Sequence, residues 1–191
     1  MKVKDKAKEE RIKQVTLEIV SQEGLAGLKI SKVAKEAELS PSMIYTYFKN
    51  KEELIDSVFW DVVKAIFDRL ESERDSTLPF KLQFRQQFHR FMGLKLKKSI
   101  EFEYFSSFVK SPYFKPEYHK MIIENSRGML ELIREGRRKM IVKDKVPIDL
   151  ILALGGGFME KLVEFHQNEV MIMDEETIDQ AFELLWDGIK Q

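Results

Sequence analysis

Residues 30–53 carry two short apolar-patterned segments separated by three residues, and the second opens on Ser40-Pro41. A serine at a helix start accepts a backbone N–H, and a proline at the first helical position gives up an N–H that has no partner there. This predicts a short helix over about 41–48. Before it, Ile30, Val33, Ala34 and Ala37 share one face of a helix over about 30–37, and Glu38-Leu39-Ser40 makes the turn. Two short helices joined by three residues, with a firmly capped second member, fit a helix-turn-helix. Ala34 stands where the two helices cross closely, and Leu39 plugs their shared core.

In the second of these helices Ile44 and Phe48 are four apart and point inward with Leu39. Ser42, Met43, Thr46 and Tyr47 then lie on the outer side, with Tyr45 at the boundary. Two readings fit the tyrosines: they finish the small core, or their hydroxyls bond phosphates while Ser42, Met43 and Thr46 approach base edges. Met43 and the Thr46 methyl can also meet thymine methyls. Lys51 opens the next helix, where backbone N–H groups and an ammonium can hold one phosphate together, with Lys49 assisting. Lys29, Ser31 and Lys32 open the preceding helix and face the opposite DNA strand. Ser40 joins this DNA-facing set. Each lysine can equally be a solvated charge.

The charge distribution agrees with a polyanion-binding end. Residues 1–51 hold eleven Lys/Arg against seven Asp/Glu, a net of +4, which leaves −4 for the rest of a chain whose total is zero. There is no cysteine, so disulfides and thiolate metal sites are excluded and a cytoplasmic location is the simplest expectation. No signal-type run follows the charged N-terminus, and no stretch of about 18 apolar residues exists to span a membrane.

The apolar residues recur at helical spacing nearly throughout, without sustained alternation of strand type. An all-α fold of about nine helices is predicted, at 5–22, 30–37, 41–48, 51–71, 80–97, 99–110, 116–140, 147–169 and 174–189. Gly24 ends the first, whose inward stripe is Ile12, Val15, Ile19, Leu17 and Val20. Asn50 caps the fourth, which connects two domains, 1–51 and 72–191. The break between them is Ser72–Pro79.

Residues 12–60 resemble the DNA-binding domain of the tetracycline-repressor (TetR) family. The matching run is Leu39-Ser40-Pro41-Ser42-Met43-Ile44-Tyr45-Thr46-Tyr47-Phe48-Lys49-Asn50-Lys51-Glu52-Glu53-Leu54, preceded by Ile12, Val15, Ile19, Gly24, Ile30, Val33, Ala34 and Ala37. Two positions depart from the family pattern. Glu38 stands where the family favours glycine, so either Glu38 takes an uncomfortable backbone conformation or the turn differs. Lys29 stands where serine or threonine is usual. The resemblance implies a homodimer on a palindromic operator, a repressor released by a ligand, with phosphate contacts at Tyr47 and Lys51 and base contacts at Ser42, Met43 and Thr46. A DNA-binding activator or architectural protein without a ligand is the alternative.

The second half is rich in Phe, Tyr and Met. Most of these residues fit a filled helical core, and the resemblance implies a pocket among the helices. Phe88, Phe91, Met92, Phe105, Phe108, Met121 and Phe158 are the candidate lining for a small apolar or aromatic effector. His89, His119 and His166 form no metal pattern, no cofactor is expected, and no nucleophile–base pair suggests an enzyme. Gly155-Gly156-Gly157 lacks the Gly-Lys-Ser/Thr continuation of a phosphate loop and instead suggests close helix approach, at a pocket roof or a dimer seam. The last two helices have broad apolar faces (Leu150, Leu154, Phe158, Leu162, Phe165; Ile178, Phe182, Leu185, Trp186, Ile189) that either fill the chain's own interior or make a four-helix dimer interface.

Overall fold

The structure, a computed structural model, describes residues 5–72, 75–97 and 99–191; Lys2 and Lys4 of the basic segment, and Glu73 and Arg74 of the expected domain break, lie outside them. Among the described residues there are ten helices: α1 (Lys6–Gly27), α2 (Ile30–Glu36), α3 (Pro41–Tyr47), α4 (Lys51–Ser72), α5 (Phe80–Leu96), α6 (Ile100–Val109), α7 (Pro116–Asn125), α8 (Arg127–Arg138), α9 (Ile148–Gln167) and α10 (Glu175–Ile189). The all-α expectation holds. The only β pairing among the described residues is a single bridge between Val142 and Lys190, which ties the chain end to the segment after α8.

The tenth helix arises because the expected helix over 116–140 is two. Ser126 leaves the helical region at φ −82°, ψ 39°. Its hydroxyl donates back to the Ile123 carbonyl at 2.7 Å, and its N–H donates to the same carbonyl at 3.0 Å. A short polar side chain offers the backbone this alternative to the helical ladder. Apolar periodicity continues across the break and hides it.

Gly24 does take a positive φ, 68°, and the chain then makes one more helical turn before stopping at Gly27. Among the described residues three other than glycine also have positive φ: Glu38 (58°), Met140 (55°) and Glu169 (58°). Each follows the C-cap of a helix. After α2, Leu39 N–H reaches the Ala34 carbonyl at 2.8 Å and Glu38 N–H reaches that of Lys35 at 3.2 Å, the paired bonds of a Schellman motif. The departure at Glu38 is therefore resolved: the turn keeps its geometry and Glu38 carries the strain.

Packing divides the chain into two compact units, Met1–Phe67 with Lys98–Ile122, and Asp68–Lys97 with Ile123–Gln191. This division cuts across the expected one, because α6 packs on α1 within the first unit. The first unit's core joins Ile12, Val15, Ile19, Val33, Ile44, Leu54 and Phe59, all buried, with Tyr104 and Phe108 of α6. The second unit's core runs from Phe80, Phe84 and Phe88 of α5 to Phe182, Leu185, Trp186 and Ile189 of α10.

Within the chain the glycine run of α9 makes no close approach. A Cβ on Gly155 would touch only Leu185 Cδ2 at 3.8 Å, and at Gly156 or Gly157 it would meet nothing. The tight crossing is at Gly136 of α8, where a Cβ would lie 2.5 Å from Phe80 Cζ and 2.6 Å from Val142 Cγ2. No described helix is long and apolar enough to cross a membrane.

Candidate DNA-binding face

The recognition element is built from its start. Ser40 accepts the Met43 N–H at 3.2 Å, with Pro41 in the first turn, as the Ser-Pro pair predicts. Ile44 is fully buried and Phe48 nearly so, while Leu39 is half-buried in the turn. These anchors set the outward face of α3. Ser42 and Thr46 are exposed and Met43 and Tyr47 half-buried. Tyr45 is 53% exposed, so it does not finish the core.

The start of α4 is equally defined. Asn50 Oδ1 accepts the Glu53 N–H at 2.8 Å, and Glu53 Oε2 in turn accepts the Lys49 N–H at 2.5 Å. Glu53 thus holds the backbone at the α3–α4 junction. Lys51 is left half-exposed at the first turn of α4.

The lysines differ in availability. Lys29, Lys49 and Lys51 make no ion pair or side-chain hydrogen bond among the described residues. Lys32 is engaged by Glu23, and by Glu36 at 3.9 Å, so its ammonium is already partnered within the protein. Ser31 is exposed at the start of α2.

Supports that periodicity did not reveal hold these elements in place. Arg11 of α1 donates to the Glu36 carbonyl at 3.1 Å, capping the end of α2, and Lys13 pairs with Asp61 of α4 at 2.8 Å. Thr16 is fully buried, its hydroxyl satisfied by the Ile12 carbonyl at 2.8 Å. On α4, Phe59 stacks on Phe108 at 4.0 Å and 16°. Tyr104 donates to the Ile55 carbonyl at 2.8 Å and Tyr118 of α7 to Asp56 at 2.9 Å. Burial, with the charge of Asp56, pushes the Tyr104 phenol far above its ordinary value, so it remains a donor.

The expected effector set falls in both packing units. Phe108 is fully buried in the stack on Phe59, Phe105 stacks on the same ring at 5.8 Å, and Met121 is 40% exposed. Phe88 and Met92 are core residues of the second unit, Phe158 packs against that core, and Phe91 lies under the Lys95 ammonium at 5.5 Å. His89 bonds Asp179, His166 Nδ1 accepts the Met173 N–H at 3.3 Å, and His119 meets the Phe114 ring edge-on at 4.7 Å.

Comparison with known proteins places this face in a family. Residues 12–58 match the family described as bacterial regulatory proteins, tetR family. An uncharacterized HTH-type transcriptional regulator of Haemophilus influenzae is 40% identical over 77 residues, which is 40% of this chain and 41% of that relative. The match thus spans about two fifths of the relative's length. The solved structure of a TetR family transcription regulator from Marinobacter aquaeolei superposes with a TM-score of 0.83, at 23% identity, over 100% of each chain. The FadR regulator of Bacillus subtilis, solved with stearoyl-CoA, superposes at 0.71 and 21% identity, over 94% of this chain and 98% of that one. Residues 12–58 thus carry the tetR-family sequence pattern of bacterial regulatory proteins, and the chain shares the fold of solved TetR-family regulators.

Proposed function

We propose that the protein is a cytoplasmic transcriptional regulator that binds a palindromic operator as a homodimer and is released from it by a small apolar molecule. The observation that carries this reading is the outward face of α3, Ser42, Met43, Tyr45 and Thr46, set by buried Ile44 and Phe48 and flanked by unpaired Lys29, Lys49 and Lys51. Two such helices about one DNA turn apart, roughly 34–36 Å, enter successive major grooves. Tyr45, Tyr47 and Lys51 then hold phosphates, while Ser42, Met43 and Thr46 face bases.

The dimer surface is proposed on α9 and α10. Phe182, Leu185, Trp186, Ile189 and Leu162 fill the chain's own interior, so the proposed seam narrows to exposed Leu150, Leu154 and Leu184. The open Cβ positions of Gly156 and Gly157 support a close approach by a second copy. The effector is proposed to bind within 72–191, where Phe91, Phe105 and Phe158 are the partly accessible members of the aromatic set. The stearoyl-CoA bound by the Bacillus subtilis FadR supports a ligand with a long apolar chain.

The test is DNA affinity across a salt series. Tyr47→Phe and Lys51→Ala weaken every operator alike, and Lys51→Ala also lowers the salt slope by about one. Unchanged affinity at both low and high salt rejects the phosphate assignment. Addition of a long-chain acyl compound releases the duplex; retention of the complex favours a DNA-binding protein without an effector.

A further inference from the structure

Resting on the DNA-binding reading, the chemistry of α3 narrows the kind of operator it recognises. The helix reads Pro41-Ser42-Met43-Ile44-Tyr45-Thr46-Tyr47 and carries no Arg, Lys, Asn or Gln. Those are the side chains that read guanine or adenine with two hydrogen bonds in the major groove. The two aliphatic hydroxyls of the helix, Ser42 and Thr46, are engaged within the protein. The Thr46 hydroxyl donates to the Met43 carbonyl, so it has no hydrogen left for a base acceptor. Ser40 and Ser42 share a hydrogen between oxygens 2.9 Å apart, while Ser40 also accepts the Met43 N–H.

What remains outward is mostly apolar. Thr46 Oγ1 stands 3.6 Å from Met43 Sδ, which holds the thioether beside the threonine and makes one continuous patch of Met43 and the Thr46 methyl. Tyr45 extends that patch with an exposed ring. In the major groove, the base feature that matches an apolar surface is the 5-methyl of thymine.

We propose that α3 reads its half-site through thymine methyl groups seated on the Met43–Thr46 patch, and not through hydrogen bonds to guanine. The half-site bases under α3 are then chiefly A·T pairs, and guanine has no bidentate reader on this helix. Lys51 contributes phosphate contact without base preference.

The experiment uses the full chain and a duplex enriched by it from a random-sequence pool, with affinity read by fluorescence anisotropy. Each half-site thymine is replaced in turn by deoxyuridine, which removes only the methyl, and each guanine by 7-deazaguanine, which removes only N7. One or two deoxyuridine positions weaken binding by about fourfold each, the scale of one buried methyl. Met43→Ala, at a half-exposed position, makes binding indifferent to deoxyuridine, whereas Lys51→Ala keeps the full deoxyuridine effect. Binding indifferent to every deoxyuridine, or a tenfold loss with 7-deazaguanine under α3, overturns the inference and leaves DNA binding intact. Failure to enrich any duplex overturns the DNA-binding reading, and the inference with it.

Discussion

Two aromatic interiors in this molecule share a composition and differ in construction. In the first unit Phe59 is the hub, with Phe108 and Tyr118 lying nearly parallel to it at 16° and 20°. Both phenols of that core are spoken for, Tyr104 by the Ile55 carbonyl and Tyr118 by Asp56. In the second unit most rings tilt, Phe84 on Trp186 at 57° and Phe88 on Phe182 at 55°, and among the described residues only Phe182 and Trp186 come near to parallel, at 26°. Buried among them are Gln83, Gln87 and Lys95, and the Gln83 and Gln86 amide oxygens have no hydrogen-bond partner. Gln83 cannot be relieved by rotating its amide, because its nitrogen already donates to the Ser76 and Leu78 carbonyls. A desolvated acceptor without a donor is costly, so the second interior gives up stability that the first keeps. The first unit carries the proposed recognition surface, which gains from rigidity. The second is where an effector is proposed to bind, and a polar fabric in its interior suits a site that must recognise something.

The contrast breaks most decisively at Phe59. Phe59→Ala removes the hub of the stack and is expected to cost about 3–5 kcal/mol, read by urea unfolding. A loss below about 2 kcal/mol would mean that the stack does not organise the first unit. Gly136→Ala in the second unit forces a methyl into Phe80 and Val142 and is expected to cost about 1–3 kcal/mol. The buried polar groups give a sharper comparison because the signs are opposite. Tyr104→Phe should lower stability by about 1 kcal/mol, since it removes a satisfied bond. Gln86→Leu should raise it by about 1 kcal/mol, since it removes an acceptor that has none. Equal signs for the two variants would erase the distinction between the interiors.

The two regions also differ in how much of them the sequence discloses. The proposed recognition face is local: cap, proline, turn and the inward Leu39, Ile44 and Phe48 all lie within eleven residues, so spacing alone places them. Asn50 as the cap of α4 is legible for the same reason. The packing of α6 on α1 is a contact between segments about 80 residues apart, and nothing in either helix's periodicity names its partner. That is why Phe105 and Phe108 read as pocket residues although they pack on Phe59. Thr16 escapes because its hydroxyl is satisfied within its own helix, which removes the usual objection to burying it. The glycines divide: within the chain the crossing that demands a glycine is the solitary Gly136, whereas the run of three in α9 is open.

Glu38 offers a small gain within the recognition unit. Its φ of 58° is one that glycine adopts without strain, so Glu38→Gly should stabilise by about 0.5–1 kcal/mol with the turn's hydrogen bonds unchanged. A thermal melt that does not rise would show that the side chain compensates the strain.

The smallest effect concerns the edge of the second unit, where α5 and α10 are joined by charges. Lys81 pairs with Glu183 at 2.7 Å, and Arg85 and His89 both bond Asp179. The Arg85 hydrogen bond is the main cause that holds the Asp179 carboxyl below its ordinary value of 3.8; partial burial opposes it, and His89 adds to the lowering. The charges of Glu175 and Glu183 also act on Arg85. A carboxylate whose folded value is depressed contributes stability that is complete above its unfolded value and disappears as pH falls through the folded one. Asp179→Asn should therefore be less stable than the parent at pH 7, and the difference should shrink as pH drops below about 4. Because the pair is more than a third exposed, salt should reduce the difference at pH 7 as well. A gap between the two unfolding curves that stays constant from pH 7 into strong acid would mean that Asp179 holds α10 by shape and not by charge.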